Sequence, residues 1–244
     1  MNKLCSKNRF STTLSLLLLL AFSPPGLALE IPLQPFNASY NLYKGGMNIA
    51  IAELRLERSG EQWRWSSLTK ARGIYKWFTS KQPYTETSFS RIKNGFRLSE
   101  ILIADRGKKK SLESARFDWV KGELEVMRKG KRRQLQLAEG VYDYQSIHLL
   151  AAAMGQQQLK ATTIDFYRKG KLVKSRLVFS GQQAVEVNGK SVQANVYEQV
   201  VARSNSKIKY YYDVDNPLLP LRIERLESGE SPAVLTLRQV EWDL

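Results

Sequence analysis

The chain has 244 residues, a hydrophobic fraction of 43% and a net charge of +15 at pH 7. It contains one histidine, His148, and one cysteine, Cys5, so the composition excludes a zinc site built from histidine or thiolate ligands and excludes a disulfide framework. The excess of cations favours an anionic partner, although basic side chains that only solvate the surface would give the same balance.

Residues 1–28 have the pattern of a cleavable secretory signal peptide. Three cations precede an apolar run that ends before Pro24, and Gly26 and Ala28 supply the small residues expected before a cleavage site after Ala28. A membrane anchor is the alternative, but the run is shorter than the roughly 20 residues that a helical span needs. We therefore expect a single β-rich periplasmic domain over 29–244, without thiol chemistry or a membrane-spanning segment.

Alternation of apolar and polar residues predicts antiparallel strands in the first half of this domain. In the range 48–58, for example, Ala50, Ala52 and Leu54 fall on one face and charged residues on the other. The predicted strands are 36–43, 48–58, 63–67, 85–90, 96–105, 111–120, 123–127 and 133–137.

The connection over 71–79 places three aromatic residues, Tyr75, Trp77 and Phe78, within four positions. Such rings commonly fill a core, where they bury a large area. The alternative is an apolar lip at the rim of the sheet, which would contact a ligand or a partner.

Two basic turns, 106–110 and 128–133, lie two connections apart in a predicted meander, with 121–122 between them. Because successive turns of a meander alternate ends, the two basic turns should meet at one end of the sheet. The predicted contacts to an anionic partner are Lys108, Lys109, Lys110, Arg128, Lys129, Lys131, Arg132 and Arg133.

The range 140–155 predicts one principal helix, about 143–154. Asp143 is expected to cap it by accepting the backbone N–H of Ser146, and Gly155 to end it in a left-handed conformation. The predicted buried stripe is Ile147, Leu150, Ala151 and Met154.

Strands also dominate the part that follows the helix. Asn188-Gly189 is a strong hairpin signal, a third basic turn occupies 168–171, and Gly181 is expected to interrupt the sheet. The predicted strands are 162–167, 172–179, 184–187, 192–202, 208–214, 219–226 and 234–242.

No catalytic motif stands out. Ser146 and His148 cannot act as a nucleophile and base, because residues two apart on a helix point about 200° apart. His148 is instead expected on a flank of the helix beside Tyr144 and Ala152. A glycosidase pair needs only two carboxylates, and the sequence leaves open a pair drawn from Glu53, Glu86, Glu113, Asp118 and Asp165.

Several weak motifs coincide along the mature chain. They are Phe36-x-Ala38-x-Tyr40 followed by Gly45-Gly46, Tyr142-Asp143-x-x-Ser146, and Asp215 followed by Leu219-Pro220-x-Arg222-Ile223. Together they resemble the exported bacterial family catalogued as domain of unknown function 3108. The resemblance implies a periplasmic β-rich protein without assigned activity, and it transfers no catalytic residues.

The sequence thus predicts a mainly β fold, a single antiparallel, strongly curved sheet or open barrel with the helix packed on it. The leading functional hypothesis is a binding or carrier module for an amphiphilic or anionic envelope component, such as a lipid, lipopolysaccharide or wall polymer. An envelope scaffold protein and a carboxylate-based hydrolase of wall polymer are the alternatives. No cofactor, metal or nucleic acid is expected, whereas peripheral membrane contact is compatible with the basic turns.

Overall fold

The computed structural model describes residues 33–93, 95–137, 139–202, 204, 206–227 and 229–243. The predicted leader 1–28 lies outside these residues, and so does Asn94 in a predicted turn. In the described ranges, no helix is both long and apolar enough to cross a membrane.

The described residues form fifteen strands, one α-helix and a short 3₁₀ segment. The first strands are β1 (Phe36–Lys44), β2 (Met47–Ser59), β3 (Gln62–Ala71), β4 (Pro83–Ile92), β5 (Gly95–Asp105), β6 (Lys110–Asp118), β7 (Glu123–Arg128) and β8 (Lys131–Gln136). The remaining strands are β9 (Val141–Tyr142), β10 (Ala161–Arg168), β11 (Lys171–Val187), β12 (Lys190–Val201), β13 (Ser206–Asp213), β14 (Pro220–Glu227) and β15 (Ala233–Trp242). The helix α1 spans Ile147–Gln156, and the 3₁₀ segment Gly73–Trp77 lies between β3 and β4.

All fifteen strands belong to one sheet. Its order runs from β8 back to β1, continues through β15, and then runs back to β9. The two outermost strands, β8 and β9, are not paired with each other, so the curved sheet is not closed by a backbone ladder. The predicted fold class, a mainly β chain with one open curved sheet and one helix, is confirmed.

Two details of the sheet differ from the prediction. The short strand β9 pairs in parallel with β10, so the sheet is not wholly antiparallel. Gly181 does not interrupt the sheet: it sits at a register shift within β11, which runs unbroken on both sides of it. At this position the backbone has φ 112°, which glycine adopts without a steric penalty.

The helix lies inside the curve of the sheet. All residues from Ile147 to Met154 are buried, rather than the single predicted stripe. Ile147, Leu150, Ala151 and Met154 pack in a cluster with β10–β13, whereas Leu149, Ala152 and Ala153 belong to the main core with β1–β7. A helix that is apolar on every side is stable only where it is enclosed, and the curled sheet encloses this one.

The helix bounds also differ from the predicted 143–154. The regular helix begins at Ile147, since a hydrogen-bonded turn precedes it, and it ends at Gln156. Gly155 is therefore within the helix, where an added Cβ would lie 3.2 Å from the Tyr197 hydroxyl. The residue with a left-handed backbone is Gln158, at φ 53°.

Antiparallel pairing places the connections alternately at two ends of the sheet. At one, here called the upper end, lie the connections β1–β2, β3–β4, β5–β6, β7–β8, β10–β11, β12–β13 and β14–β15. At the lower end lie β2–β3, β4–β5, β6–β7, β11–β12 and β13–β14. The basic turns 106–110 and 128–133 are thus at the upper end, and 121–122 is at the lower end.

Candidate binding site at the upper end

A buried hydrogen-bonded turn leads into α1. Asp143 Oδ1 accepts the backbone N–H of Ser146 at 2.8 Å and that of Gln145 at 3.2 Å, and the Ser146 hydroxyl donates to it at 2.7 Å. Ser146 Oγ in turn accepts the N–H of Asp143 at 2.8 Å. The Thr87 hydroxyl on β4 donates to Asp143 Oδ2. The carboxylate therefore ties the helix start to the sheet, which the capping pattern alone did not suggest.

Burial affects this carboxyl strongly. Desolvation raises the pKa of Asp143 above its usual value, while the hydrogen bonds from Thr87 and Ser146 act in the opposite direction. Because Asp143 is buried and its hydrogen-bond donors are Thr87, Gln145 and Ser146, we assign it a structural role.

His148 forms part of the inner wall near this turn. Its ring stacks on Trp65, with ring centroids 5.0 Å apart, and its Nδ1 lies 2.7 Å from the Tyr212 hydroxyl. Burial lowers the pKa of His148 to about 3, so the ring is neutral at physiological pH. The sequence placed this side chain on a flank of the helix, and the curled sheet covers that flank.

An apolar pocket of about 290 Å³ lies between the helix start and the inner faces of β1–β3 and β13–β15. Few polar groups line it, and two of them bond to each other: Gln145 Nε2 donates a hydrogen bond to Ser67 Oγ at 2.9 Å. The apolar lining includes Leu42, Ala52, Leu54, Trp65, Ile208, Ile223 and Leu235, and the polar lining includes Ser67, Thr69, Gln145, His148 and Arg225. Such a lining, mostly apolar with a few polar groups, is typical of small-molecule sites.

Arg225 is the cation of this pocket. It pairs with Ile208 of β13 in the sheet register and follows Ile223 by two residues, so it lies on the inner, largely apolar face of β14. Its Nη2 is 2.6 Å from Glu227 Oε1, and its side chain remains 44% exposed. The ion pair uses Nη2, so the other N–H donors of this exposed guanidinium can contact an anionic group at the pocket entrance.

A wider groove of about 840 Å³ shares Tyr144 and Arg225 with the apolar pocket. Its cationic lining comes from the upper ends of four strands, β6, β7, β10 and β14, and consists of Lys110, Arg128, Lys129, Arg168, Lys169 and Arg225. An apolar pocket and a basic groove therefore adjoin at shared residues.

The third basic turn reaches this groove through a buried carboxylate on β6. Glu113, 5% exposed, accepts the Tyr167 hydroxyl at 2.8 Å and the Gly170 N–H at 2.9 Å, and it pairs with Arg128 Nε at 2.5 Å. Gly170 approaches so closely that an added Cβ would lie 3.0 Å from Arg128 Cδ. Strands β6 and β7 are not hydrogen-bonded to β10 or β11 in the sheet, so these side-chain contacts are what join them to the β10–β11 turn.

The predicted basic residues divide into three groups. Lys110, Arg128 and Lys129 line the groove. Arg132 pairs with Glu125 at 2.7 Å on the outside of the sheet. The other four, Lys108, Lys109, Lys131 and Arg133, are exposed at the upper end beside the groove or on β8.

Lysine occupies left-handed backbone positions in three upper-end turns. Lys109, Lys129 and Lys169 have φ values of 49°, 51° and 50°. Asn188, in the lower-end turn β11–β12, has the similar value of 52°. Asparagine tolerates this conformation better than other side chains with a Cβ, so lysine at these positions carries a backbone cost.

The aromatic run lies in the β3–β4 connection, also at the upper end. Trp77 is 89% exposed and Phe78 81%, whereas Tyr75 is half-buried with its hydroxyl 3.3 Å from Met47 Sδ. The interpretation as core filler is therefore wrong for Trp77 and Phe78, because this short connection passes outside the curled sheet.

The carboxylates considered for a glycosidase pair are each engaged in an ion pair of their own. The pairs are Glu53–Lys70, Glu86–Arg64, Glu113–Arg128, Asp118–Lys121 and Asp165–Lys174. Of the five, Glu113 alone lines the basic groove. Across the described ranges, no group of three or more His, Cys, Asp or Glu side chains is arranged to hold a metal ion.

Sequence reasoning missed the two residues that connect pocket and groove, Tyr144 and Arg225. A signal for Arg225 existed, because Leu221, Ile223 and Arg225 alternate on one face of β14 and an arginine on an apolar face is unusual. For Tyr144 and the turn 168–171, no local pattern could show which part of the sheet they would face.

The family model "Protein of unknown function (DUF3108)" matches residues 36–238. No match to the chain was found among curated proteins. Among solved structures, the chain is similar to a β-barrel-like protein of domain of unknown function DUF1849 from Brucella abortus, with 14% sequence identity, 87% of this chain and 99% of that chain covered, and a TM-score of 0.57. A Bacteroides fragilis protein with a YmcC-like fold, described as a candidate exported protein, has 8% identity, covers 86% of this chain and 96% of its own, and gives a TM-score of 0.31.

Proposed function

We propose that this chain, which belongs to the DUF3108 family of proteins of unknown function, is a periplasmic binding or carrier module for an anionic amphiphile of the cell envelope. The observation that carries the proposal is the junction of an apolar pocket with a basic groove at Tyr144 and Arg225. An apolar chain would occupy the pocket, and its anionic headgroup would lie among the cations of the groove.

The size of the pocket limits the apolar part of the ligand. A water molecule takes up about 30 Å³ in the liquid, so a pocket of about 290 Å³ holds on the order of ten groups of that size. This is room for much of one acyl chain, and too little for a complete two-chain lipid. The groove, with Lys110, Arg128 and Lys169 around it, has space for a phosphate-bearing headgroup.

The cellular location in this proposal depends on the sequence. The expected leader over 1–28 would export the chain, and the mature domain over 29–244 would then meet lipids, lipopolysaccharide and wall polymers. Of these, a single-chain or partly inserted anionic lipid fits the combination of apolar pocket and basic groove best.

Binding of lysophosphatidylglycerol, which has one acyl chain and one phosphate, tests the proposal by calorimetry. We expect binding with a negative heat-capacity change, weaker binding of zwitterionic lysophosphatidylcholine, and much weaker binding of glycerol phosphate, which has no chain. Native mass spectrometry of protein purified from the periplasm should show a co-purified lipid. Absence of both signals, or equal binding of glycerol phosphate and the lysolipid, would overturn the proposal.

Two variant pairs locate the ligand. Thr69→Phe fills the pocket from the inner face of β3, whereas Ser66→Phe adds the same ring on the outer face of that strand. Arg225→Gln removes the inner cation, whereas Arg238→Gln removes an exposed cation of β15. We expect lysophosphatidylglycerol affinity to fall about tenfold or more for each inner variant and to stay unchanged for each outer one. Unchanged affinity in Thr69→Phe would place the ligand outside the pocket.

A further inference from the structure

The 3₁₀ segment and the residue after it present three large apolar side chains to solvent. Ile74 is 67% exposed, Trp77 89% and Phe78 81%, within five residues of one another. Exposed apolar surface is unfavourable by about 25 cal/mol per Å², so a cluster of this kind on a surface usually marks a contact with something else.

The segment is held in place at both ends. The Arg72 N–H donates to the Ile49 carbonyl at 2.9 Å before it, and after it the Gln82 N–H donates to Asp105 Oδ1 at 2.9 Å. Gly107 packs so closely on the connection that an added Cβ would lie 1.8 Å from the Ser80 carbonyl oxygen. The three apolar side chains are thus displayed on an anchored connection.

Cations surround this apolar cluster. Lys76 lies within it and Lys81 follows it, and both are exposed. In the described part of the chain, neither lysine has a carboxylate within ion-pair distance. The turn that carries Lys108 and Lys109 packs on the same connection, through the contact of Gly107 with Ser80.

We propose that Ile74, Trp77 and Phe78 insert into the interface of an anionic lipid bilayer, while Lys76, Lys81 and the adjacent basic turn contact its headgroups. Tryptophan and phenylalanine beside lysine match the layered chemistry of a bilayer, in which an apolar zone lies under an anionic surface. The centre of a protein–protein interface, in contrast, is poor in lysine.

This docking surface is separate from the pocket in its residues, and it does not depend on what the pocket binds. None of Ile74, Trp77 and Phe78 lines the pocket or the groove. Because both features lie at the upper end, docking would bring the pocket entrance near the membrane surface.

Vesicle co-sedimentation of the purified mature protein tests the proposal. We expect binding to vesicles of equal parts phosphatidylglycerol and phosphatidylcholine, weakening as salt rises, and little binding to phosphatidylcholine alone. The double variant Trp77→Ser/Phe78→Ser should lose about tenfold or more in affinity. Its matched control is Val120→Ser, which removes a 99% exposed apolar side chain at the lower end and should change nothing.

A second pair of variants tests the cations. Lys76→Glu/Lys81→Glu should weaken binding strongly, whereas Lys93→Glu/Lys190→Glu makes the same change in net charge on lower-end turns and should weaken it much less. Lipids with brominated acyl chains should quench tryptophan fluorescence in the wild type. They should quench it much less in Trp77→Phe, which keeps an apolar ring and should still bind.

Three outcomes would overturn the proposal. The Ser double variant could bind vesicles as the wild type does, or both lysine pairs could weaken binding equally. Alternatively, sedimentation could show a dimer that is lost in Trp77→Ser/Phe78→Ser without any vesicle binding, which would assign the surface to a second copy of the chain. Thr69→Phe should bind vesicles normally, so failure of the pocket ligand and failure of membrane docking can be told apart.

Discussion

The two ends of the curved sheet use similar turns but carry different side chains. The turns Lys129-Gly130 and Lys169-Gly170 at the upper end and Asn188-Gly189 at the lower end have nearly the same φ angles at both positions. Asparagine suits the left-handed position, and lysine does not. At the upper end these positions therefore hold a charged lysine, although the backbone conformation favours asparagine.

Several other connections show a similar contrast, whereas the upper-end connection β14–β15 carries the exposed Glu230. Exposed cations at the upper end include Lys76, Lys81, Arg106, Lys108, Lys109, Lys129 and Lys169, whereas the lower-end turns mix Glu61, Lys93, Asp118, Lys121 and Asp215. Exposed apolar side chains occur at both ends, but they form a cluster only at 74–78 at the upper end, whereas Ile92, Val120 and Val214 lie in separate connections at or beside the lower end. The basic charge and the exposed rings at the upper end lead us to expect that the two ends contact different surroundings. Each of the following predictions tests this difference.

The largest effect is expected from reversing the upper-end charge. Changing Lys108, Lys110, Lys129 and Lys169 to Glu should weaken binding to anionic vesicles at least about 1,000-fold, since each lost cation near such a surface contributes about 1 kcal/mol and each new carboxylate is repelled by it. Reversing Arg58, Lys93, Lys121 and Lys190 at the lower end makes the same change in net charge and should have a small effect. Equal losses in co-sedimentation would mean that net charge alone governs binding.

The next effect concerns the carboxylate that holds the upper end together. Glu113→Ala leaves the Tyr167 hydroxyl, the Gly170 N–H and Arg128 without their acceptor, and should lower the free energy of unfolding by about 3 kcal/mol. Glu125→Ala breaks an exposed pair with Arg132 and should cost less than about 0.5 kcal/mol. Urea denaturation measures both, and similar values would contradict the structural role of Glu113.

Inside the upper end, Asp143→Ala should lower the free energy of unfolding by about 2 kcal/mol. The variant removes the acceptor of Ser146 and Gln145 and the link to Thr87, so the loss exceeds that of a simple helix cap. Asp213→Ala, which removes the acceptor of one exposed turn N–H at the lower end, should cost much less. If the two variants were equally stable by thermal denaturation, the buried turn would not anchor the helix.

The lowered pKa of the buried His148 predicts a pH dependence of the free energy of unfolding. Because the pKa of His148 is about 3 in the folded chain and about 6.5 when unfolded, the unfolded chain takes up a proton first as pH falls. The wild type should therefore lose about 1.4 kcal/mol of stability per pH unit between pH 6.5 and pH 3, relative to His148→Gln. Above pH 7 the two curves should run parallel. Parallel curves at all pH values would show that His148 is not buried in its neutral form.

The smallest effect tests the turn comparison directly. Lys129→Asn and Lys169→Asn should each raise the free energy of unfolding by about 0.5 kcal/mol, because asparagine tolerates the left-handed backbone better. The same changes should weaken lysophosphatidylglycerol binding, since each removes a cation of the groove. Asn188→Lys in the lower-end turn should lower stability by a similar amount and leave binding nearly unchanged. A stabilised variant with unchanged binding would show that these lysines serve no anionic partner.

The sequence alone determined most of the local structure. Period-two alternation and Gly-containing turns located nearly every strand, because those signals arise from neighbouring residues and backbone preference. The meander order also placed the turns 106–110 and 128–133 at one end. The capping pattern of Asp143 and Ser146 marked the helix start to within a turn, although the regular helix begins at Ile147.

Tertiary structure alone decided what each face meets. The curl of the sheet enclosed α1 on all sides, buried His148 against Trp65, and brought the turn 168–171 to Glu113. It also turned the rings of Trp77 and Phe78 outward. These contacts join residues far apart in the chain, and they depend on the curvature accumulated over fifteen strands, which no short stretch of sequence encodes.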